Sequence, residues 1–371
     1  MKLTLIAGEP SGDRLGAALM AALKSLQPAV QFHGIGGPLM QAQGLISLFP
    51  MEELSIMGIA EILPKYRHLK RRIAQTANAT LAESPAALIT IDSPDFCLRV
   101  AKLVKSANPG LKTIHYVAPS VWAWRPGRAA KMAHYIDHVL ALLPFEPPLM
   151  TAAGMTCDFI GHPVVSEPLG AKTPQDSPLI LTLPGSRRGE VTRLAPVIGE
   201  TLAHIKAHYP NARVALPTVR GVADLVRDLS QNWPIQPQII ENADEKRVAF
   251  ANATVAIAAS GTVSLELAAN ACPMVVTYKM NPLTLWLMRR AALVDTVTLV
   301  NLVAGSRTVP EFLGRACQAE MIAPAVLALM QPGPERDAQS KAMDITMDRL
   351  GRGGEAPALR AARSVLAQLR R

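Results

Sequence analysis

A chain of 371 residues with 49% hydrophobic and only 18% charged side chains holds enough apolar material for two cores of ordinary size and too little charge for disorder. Lysine and arginine outnumber aspartate and glutamate 38 to 29, which favours an anionic partner: a nucleotide phosphate, a nucleic acid or an anionic membrane surface. Four widely spaced cysteines, Cys97, Cys157, Cys272 and Cys317, form no C-x-x-C pair, so neither a zinc site nor a disulfide scaffold is indicated and a reducing compartment is expected. The apolar run of Met1–Pro10 is too short for the core of a signal peptide. The uncharged stretch Ser25–Met51 is broken by prolines and glycines, so no membrane span is expected either.

Lys2–Ala7 reads as a buried strand, Gly8–Asp13 as a loop and Leu15–Leu26 as a helix, the opening of a doubly wound sheet. A dinucleotide site would place G-x-G-x-x-G in this loop and an acidic residue about 20 positions later. The loop is GEPSGD, with no Asp or Glu between Lys24 and Glu52, so an NAD-dependent dehydrogenase is not indicated. Glu9 stands at the carboxyl end of the first strand, where open parallel sheets bind ligands; it faces a ligand or accepts N–H bonds from the following turn.

From residue 62 the pattern turns amphipathic. Ile62, Tyr66, Leu69 and Ile73 share one helical face, and Lys65, Arg67, Lys70, Arg71 and Arg72 lie elsewhere around it. Such a helix lies on an anionic membrane or packs on its own domain with a solvated basic face. Ala86–Ile91 is another buried strand. It ends at Asp92-Ser93-Pro94-Asp95, where one carboxylate is expected to cap the following helix and the other is left for chemistry. Thr113–Val117 then leads into Ala118–Arg128, where Trp122 and Trp124 sit beside Arg125 and Arg128. These rings anchor the loop or serve a nucleotide, and no RNA-binding signature accompanies them.

His134 and His138, like His204 and His208, are four apart and could each share a helix face, but H-E-x-x-H and D-x-D are absent and no metal is implied. Pro168–Pro178, rich in Pro, Gly and Ser, reads as a linker. Strands at 179–183, 212–216, 237–241, 254–258 and 273–278 then alternate with helices at about 189–208, 221–230, 244–250 and 263–270, predicting a second parallel sheet.

Two strand–turn–helix units in this half carry phosphate-binding chemistry. Leu179–Leu183 breaks at Pro184-Gly185-Ser186 with Arg187 and Arg188 in the turn, and the 254–258 strand breaks at Ser260-Gly261-Thr262. Glu266 falls one turn into the second helix, within reach of a ribose hydroxyl pair. Pro282–Val294 is apolar with Arg289 and Arg290, a second candidate for lipid contact. Asn301 is a polar group in an apolar run and must find a hydrogen bond from backbone or ligand. Glu335–Leu350 and Glu355–Arg371 read as helices around a glycine-rich break.

Taken together, AGEPSGD at 7–13, MEELSIMGIAEIL at 51–63, IDSPDF at 91–96, IHYVAPSVWAWRPGR at 114–128, LPFE at 143–146, FIGHP at 159–163, LPGSRRGEV at 183–191, ASGTVSLE at 259–266, CPMVV at 272–276 and NLVAG at 301–305 closely resemble the lipid-A-disaccharide synthases. The matches run in order over nearly the whole chain, less well over 306–330, and depart at Pro10, where alanine is usual.

The resemblance implies two doubly wound, Rossmann-like parallel-sheet domains facing a cleft, the glycosyltransferase B-type fold, with an acceptor-side domain at 1–165, a UDP-sugar domain at 166–330 and C-terminal helices at 331–371 that pack back or exchange in a homodimer. It implies inverting transfer of 2,3-diacylglucosamine from its UDP derivative to 2,3-diacylglucosamine 1-phosphate, in the cytoplasm at the inner-membrane surface, with no metal, cofactor or nucleic acid. Asp95 matches the family's proposed base and Glu9 a second essential carboxylate. Gly185, Ser186, Arg187, Glu190, Ser260, Gly261, Thr262, Glu266 and Asn301 match the donor side, and Ser11, Gly12 and Trp124 complete the expected substrate contacts. A UDP-sugar epimerase of the same fold and a non-catalytic UDP-binding protein are the alternatives.

Overall fold

The computed structural model describes residues 1–54, 59–280 and 290–370. The chain forms two compact units, one of Met1–Pro163 with Gly353–Arg371 and one of Val164–Arg352. The first is built on seven parallel strands, β1 (Lys2–Ala7), β2 (Gln31–Ile35), β3 (Ile46–Ser47), β4 (Ala87–Ile91), β5 (Lys112–Tyr116), β6 (His138–Ala141) and β7 (Thr156–Phe159), in the order β3-β2-β1-β4-β5-β6-β7. The second has six, β8 (Leu179–Leu183), β9 (Arg213–Pro217), β10 (Pro237–Ile240), β11 (Val255–Ala259), β12 (Met274–Tyr278) and β13 (Glu311–Leu313), also parallel, in the order β10-β9-β8-β11-β12-β13. Every residue of β4 (ALITI), β8 (LILTL) and β11 (VAIAA) is buried, as expected where helices cover both faces of a sheet. Threonines tolerate this burial by returning hydroxyls to neighbouring carbonyls: Thr90 to Ile114 at 3.3 Å and Thr277 to Ala258 at 3.3 Å.

In both sheets the chain reverses its direction of travel beside the first strand laid down, between β1 and β4 and between β8 and β11. Ligands of doubly wound folds bind outside the carboxyl ends of such a strand pair.

Helix α1 spans Pro10–Leu26, so the expected loop is shorter and Ser11, Gly12 and Asp13 lie in the first helical turn. The reason is Pro10, whose fixed φ suits the first helical position. Gly12 lets α1 approach the sheet: a Cβ there would lie 3.3 Å from both the Ala7 Cβ and the Ile91 carbonyl oxygen. Asp13, buried, accepts N–H bonds from Gly37, Leu39 and Met40 and so organises the start of α2 (Pro38–Ala42).

Helix α3 (Ile59–Glu83) contains the basic amphipathic stretch. Ile73 is buried in the first unit's core, and Arg72 pairs with Glu53 at 2.7 Å while lying 4.3 Å over the Phe49 ring. This part of the helix therefore packs on its own unit, with Arg67, Lys70 and Arg71 exposed. The side chains of Ile62 and Tyr66 lie outside what is described, as do residues 282–289 of the second lipid-contact segment.

The remaining helices of the first unit are α4 (Pro94–Ala107), α5 (Gly127–Met132) and α6 (Pro147–Ala152). The second carries α7 (Arg188–His208), α8 (Ala223–Ser230), α9 (Ala243–Asn252), α10 (Val263–Ala269), α11 (Leu299–Ala304), α12 (Ala319–Met330) and α13 (Pro334–Arg349). The last helix, α14 (Pro357–Leu369), returns to the first unit, where Ala361, Ala362 and Val365 are fully buried. His134 and His138 do not share a helix face, because His138 lies in β6 and bonds Thr156 and Ser364 at 2.7 and 2.8 Å.

Candidate active site

At the β8–β11 switch point a pocket of about 490 Å³ opens. Its walls are the two turns singled out in the sequence: Gly185, Ser186 and Arg187 with Glu190 from the start of α7, and Ser260, Gly261 and Thr262 with Glu266 from α10. Gly185 takes φ of 109°, a conformation that side chains resist, and a Cβ there would fall 2.5 Å from a Glu190 carboxylate oxygen. Arg187, 61% exposed, reaches Glu190 at 3.2 Å. The N-terminal ends of α7 and α10 both open here, so unpaired backbone N–H groups and two partial positive charges add to the guanidinium.

Eight of the donor-side residues thus converge on one pocket. Asn301 is not among its lining. It is buried in α11, where its amide donates to the Val309 carbonyl at 2.9 Å and accepts from the Val309 N–H at 3.0 Å. The requirement that a buried Asn be bonded is met within the protein, by the Val309 backbone and by the Thr296 hydroxyl 3.3 Å from the amide nitrogen.

Two groups escaped sequence reasoning. Lys246, from α9, lines the pocket and pairs with Glu266 at 2.6 Å; nothing in ADEKR distinguishes it from a surface lysine before folding. Thr218, just beyond β9, also lines it, and its buried hydroxyl has no partner among the described residues.

The β1–β4 switch point gathers the other set. Glu9 precedes α1, and the Ser93 hydroxyl lies 3.3 Å from its carboxylate. The Ser11 hydroxyl lies 3.3 Å from the Asp92 carboxylate. Asp92 and Ser93 both hold positive φ, 53° and 41°, a strained corner of the kind that folds retain at functional sites. Neither carboxylate caps α4, contrary to the sequence expectation. Ser93 occupies the cap position and makes no side-chain cap bond, while Asp95, its side chain 88% exposed, receives a hydrogen bond from Arg128 at 3.3 Å.

The tryptophan loop follows β5 through Val117, whose φ of 81° is unusual for a branched residue. Trp122 anchors it, donating to Glu146 at 3.2 Å and meeting Phe145 edge-on at 5.3 Å. The LPFE motif is therefore the socket of this loop. Trp124 is exposed, with the Arg125 guanidinium 4.2 Å above its ring. Burial pushes the Glu146 carboxyl up to about 7, although the Leu142 and Leu143 N–H groups and Trp122 bond its charged form.

Two all-parallel sheets of one strand order, the second with a guanidinium- and hydroxyl-lined pocket at its switch point, define the fold of the B-type glycosyltransferases, which UDP-sugar epimerases share. The kitacinnamycin glycotransferase superposes with a TM-score of 0.66 at 15% identity, covering 99% of this chain and 98% of that one. The UDP-GlcNAc 2-epimerase of Neisseria meningitidis does so with 0.64 at 12% identity, covering 100% and 99%. At such identities the likeness speaks for the fold alone.

The chain belongs to the lipid-A-disaccharide synthetase family, whose model matches residues 3–362, and is a glycosyltransferase of lipid A biosynthesis. The lipid-A-disaccharide synthase of Ruegeria pomeroyi is 57% identical over 392 aligned residues, spanning 100% of this chain and 96% of the relative.

Proposed function

We propose that the chain condenses UDP-2,3-diacylglucosamine with 2,3-diacylglucosamine 1-phosphate, releasing UDP and the β-1,6-linked disaccharide 1-phosphate. The observation that carries this reading, beside family membership, is the pocket of about 490 Å³ in which two strand–turn–helix units, Arg187 and Glu266 converge. The Gly185–Arg187 and Ser260–Thr262 turns take the diphosphate, Glu190 holds Arg187 in place, and Glu266, steadied by Lys246, takes the ribose hydroxyls. The N. meningitidis neighbour is bound to UDP-GlcNAc, which fits a uridine diphosphate sugar as donor.

Transfer is a single in-line displacement. The acceptor 6-hydroxyl oxygen bonds to donor C1, its proton passes to the Asp95 carboxylate, and the electron pair of the breaking C1–O bond leaves on UDP. Inversion follows from the one displacement. Preorganised donors meet the charge that develops on the diphosphate, and Glu9, with Ser11 and Trp124, lines the acceptor side, while Gly12, buried in the first turn of α1, lets that helix close on the sheet. Acyl-chain substrates place the work at the cytoplasmic face of the inner membrane, with the exposed Arg67, Lys70 and Arg71 of α3 toward its anionic surface and the chain peripheral rather than spanning. No helix among the described residues is long and apolar enough to cross a membrane. The working form is a homodimer.

The test is UDP release from UDP-2,3-diacylglucosamine with and without acceptor, in EDTA, for the wild type and Asp95→Asn. Acceptor-dependent release that survives EDTA and falls by about 10²–10⁴ in the variant is expected from loss of a general base. Release without acceptor would turn the reading toward an epimerase. An equal fall in Asp92→Asn with Asp95→Asn unaffected would move the base to Asp92.

A further inference from the structure

The first unit carries another concavity, of about 520 Å³, of whose lining the reaction as written uses Asp95 alone. One wall is a face of α4: Asp95, Arg99 and Lys102 follow at i, i+4 and i+7 and so lie one above another. The facing wall comes from the tryptophan loop and α5, which supply Arg125, Arg128 and Lys131. Five cations thus line a hollow whose lining holds one carboxylate, that of Asp95, and Arg128 alone pairs with it. Among the described residues Arg99, Lys102 and Lys131 make no ion pair.

Like charges collected in a concavity repel one another and focus a positive potential, an arrangement that an anion relieves. Arginine forks match the oxygens of a phosphate two at a time, and lysine adds a point charge. Arg125 is also pre-placed: its backbone sits at φ of 53°, and its guanidinium is stacked 4.2 Å from the Trp124 ring.

We infer that this groove is the subsite for the anomeric phosphate of the acceptor sugar. The inference rests on the reading of Asp95 as the base. With the acceptor 6-hydroxyl at Asp95, the anomeric oxygen lies across the pyranose ring. Arg99 and Lys102 stand about 6 and about 10 Å further along the helix axis, so one hexose spans from the base to the cations. Arg128, bonded to Asp95 at the head of the groove, links the two ends. The groove selects an acceptor that carries a phosphate from an otherwise identical sugar that does not.

The experiment compares kcat/KM for 2,3-diacylglucosamine 1-phosphate and its dephosphorylated counterpart in detergent micelles, for the wild type and Arg99→Gln/Lys102→Gln. Both side chains are exposed, so the variant is expected to fold. A wild-type preference of about tenfold or more for the phosphorylated acceptor that collapses in the variant, through KM and with UDP affinity unmoved, is the expected result. A preference of the same size in both proteins overturns the inference. So does a variant that keeps the preference but loses binding to phosphatidylglycerol vesicles relative to phosphatidylcholine, which assigns the groove to lipid headgroups.

A wild type without acceptor-dependent turnover would sink the proposed function instead. The groove is then decided by calorimetric titration: glucosamine 1-phosphate binding that the double variant loses upholds it. Binding that the variant keeps, or inorganic phosphate bound as tightly, overturns it.

Discussion

Arg187 shows how a charged side chain is kept available for a ligand. Its partner Glu190 lies 3.2 Å away, but the guanidinium is 61% exposed, and pairs of that kind contribute only about 0–1 kcal/mol to stability. Exchanging part of that contact for a diphosphate is therefore cheap in free energy. Arg187→Ala is expected to lower kcat/KM for UDP release by about 10²–10³ while shifting stability by less than about 0.5 kcal/mol. Steady-state kinetics beside a thermal melt check it, and a melt that drops with the activity would make Arg187 a structural residue. Asn301 is the opposite case. The sequence marks it as a polar group that must be bonded, and only the fold reveals that the Val309 backbone bonds both ends of its amide, with Thr296 and Glu311 beside it. Glu266 stands between the two, legible from its place one turn into a helix, whereas its partner Lys246 arrives from α9 and left no trace in the local pattern.

At the scale of an element, the loop after β5 is fixed from two sides. Val117 and Arg125 hold positive φ, and Trp122 is plugged into Phe145 and Glu146. Glu146 is 3% exposed, and burial raises its carboxyl to about 7, above the ordinary glutamate value of 4.5. A carboxyl whose folded pKa is raised binds more protons in the native state than in the unfolded one. Its contribution to stability is therefore full below pH 4.5 and is lost as pH rises toward 7. Glu146→Gln removes that titration. Relative to the wild type, the variant's melting temperature is expected to improve as pH rises from 4.5 to 7 and to hold a constant offset above that. Melts of both proteins across pH 4–8 check it, and parallel curves would mean that folding leaves the Glu146 carboxyl at its ordinary value. The sequence supplied the tryptophans and LPFE as separate motifs, and the fold joins them over an interval of 24 residues.

For the whole molecule the informative element is α14. The chain finishes its second sheet, crosses Gly351–Gly353 and lays its last helix on the first unit, where Ser364 bonds Asp158 at 2.6 Å and Arg360 donates to the Phe159 carbonyl. Ala361, Ala362 and Val365 are fully buried there, and burial stabilises by about 0.8 kcal/mol per methylene. Deleting Gly353–Arg371 is expected to lower the melting temperature sharply. If the homodimer forms by exchange of this segment, the deletion also converts a dimer to a monomer in light scattering. A dimer that survives deletion would rule out exchange as its basis.

Much of the architecture follows from the sequence alone. Continuous aliphatic runs such as LILTL and VAIAA can be satisfied only when both faces are covered, and helical periods between them dictate parallel crossovers, so two doubly wound sheets are written locally. The two turns lining the pocket at the β8–β11 switch point are legible for the same reason: Gly, Ser and Arg at the end of a strand define a chemistry before they define a place. The tertiary structure decided what depends on distant segments meeting. It left both Asp92 and Asp95 off the helix cap, brought Lys246 to Glu266, and set Arg99 and Lys102 opposite Arg125, Arg128 and Lys131. Periodicity reports which face of a segment is apolar. Which charges confront one another across a groove depends on chain closure over many residues, and no local pattern encodes it.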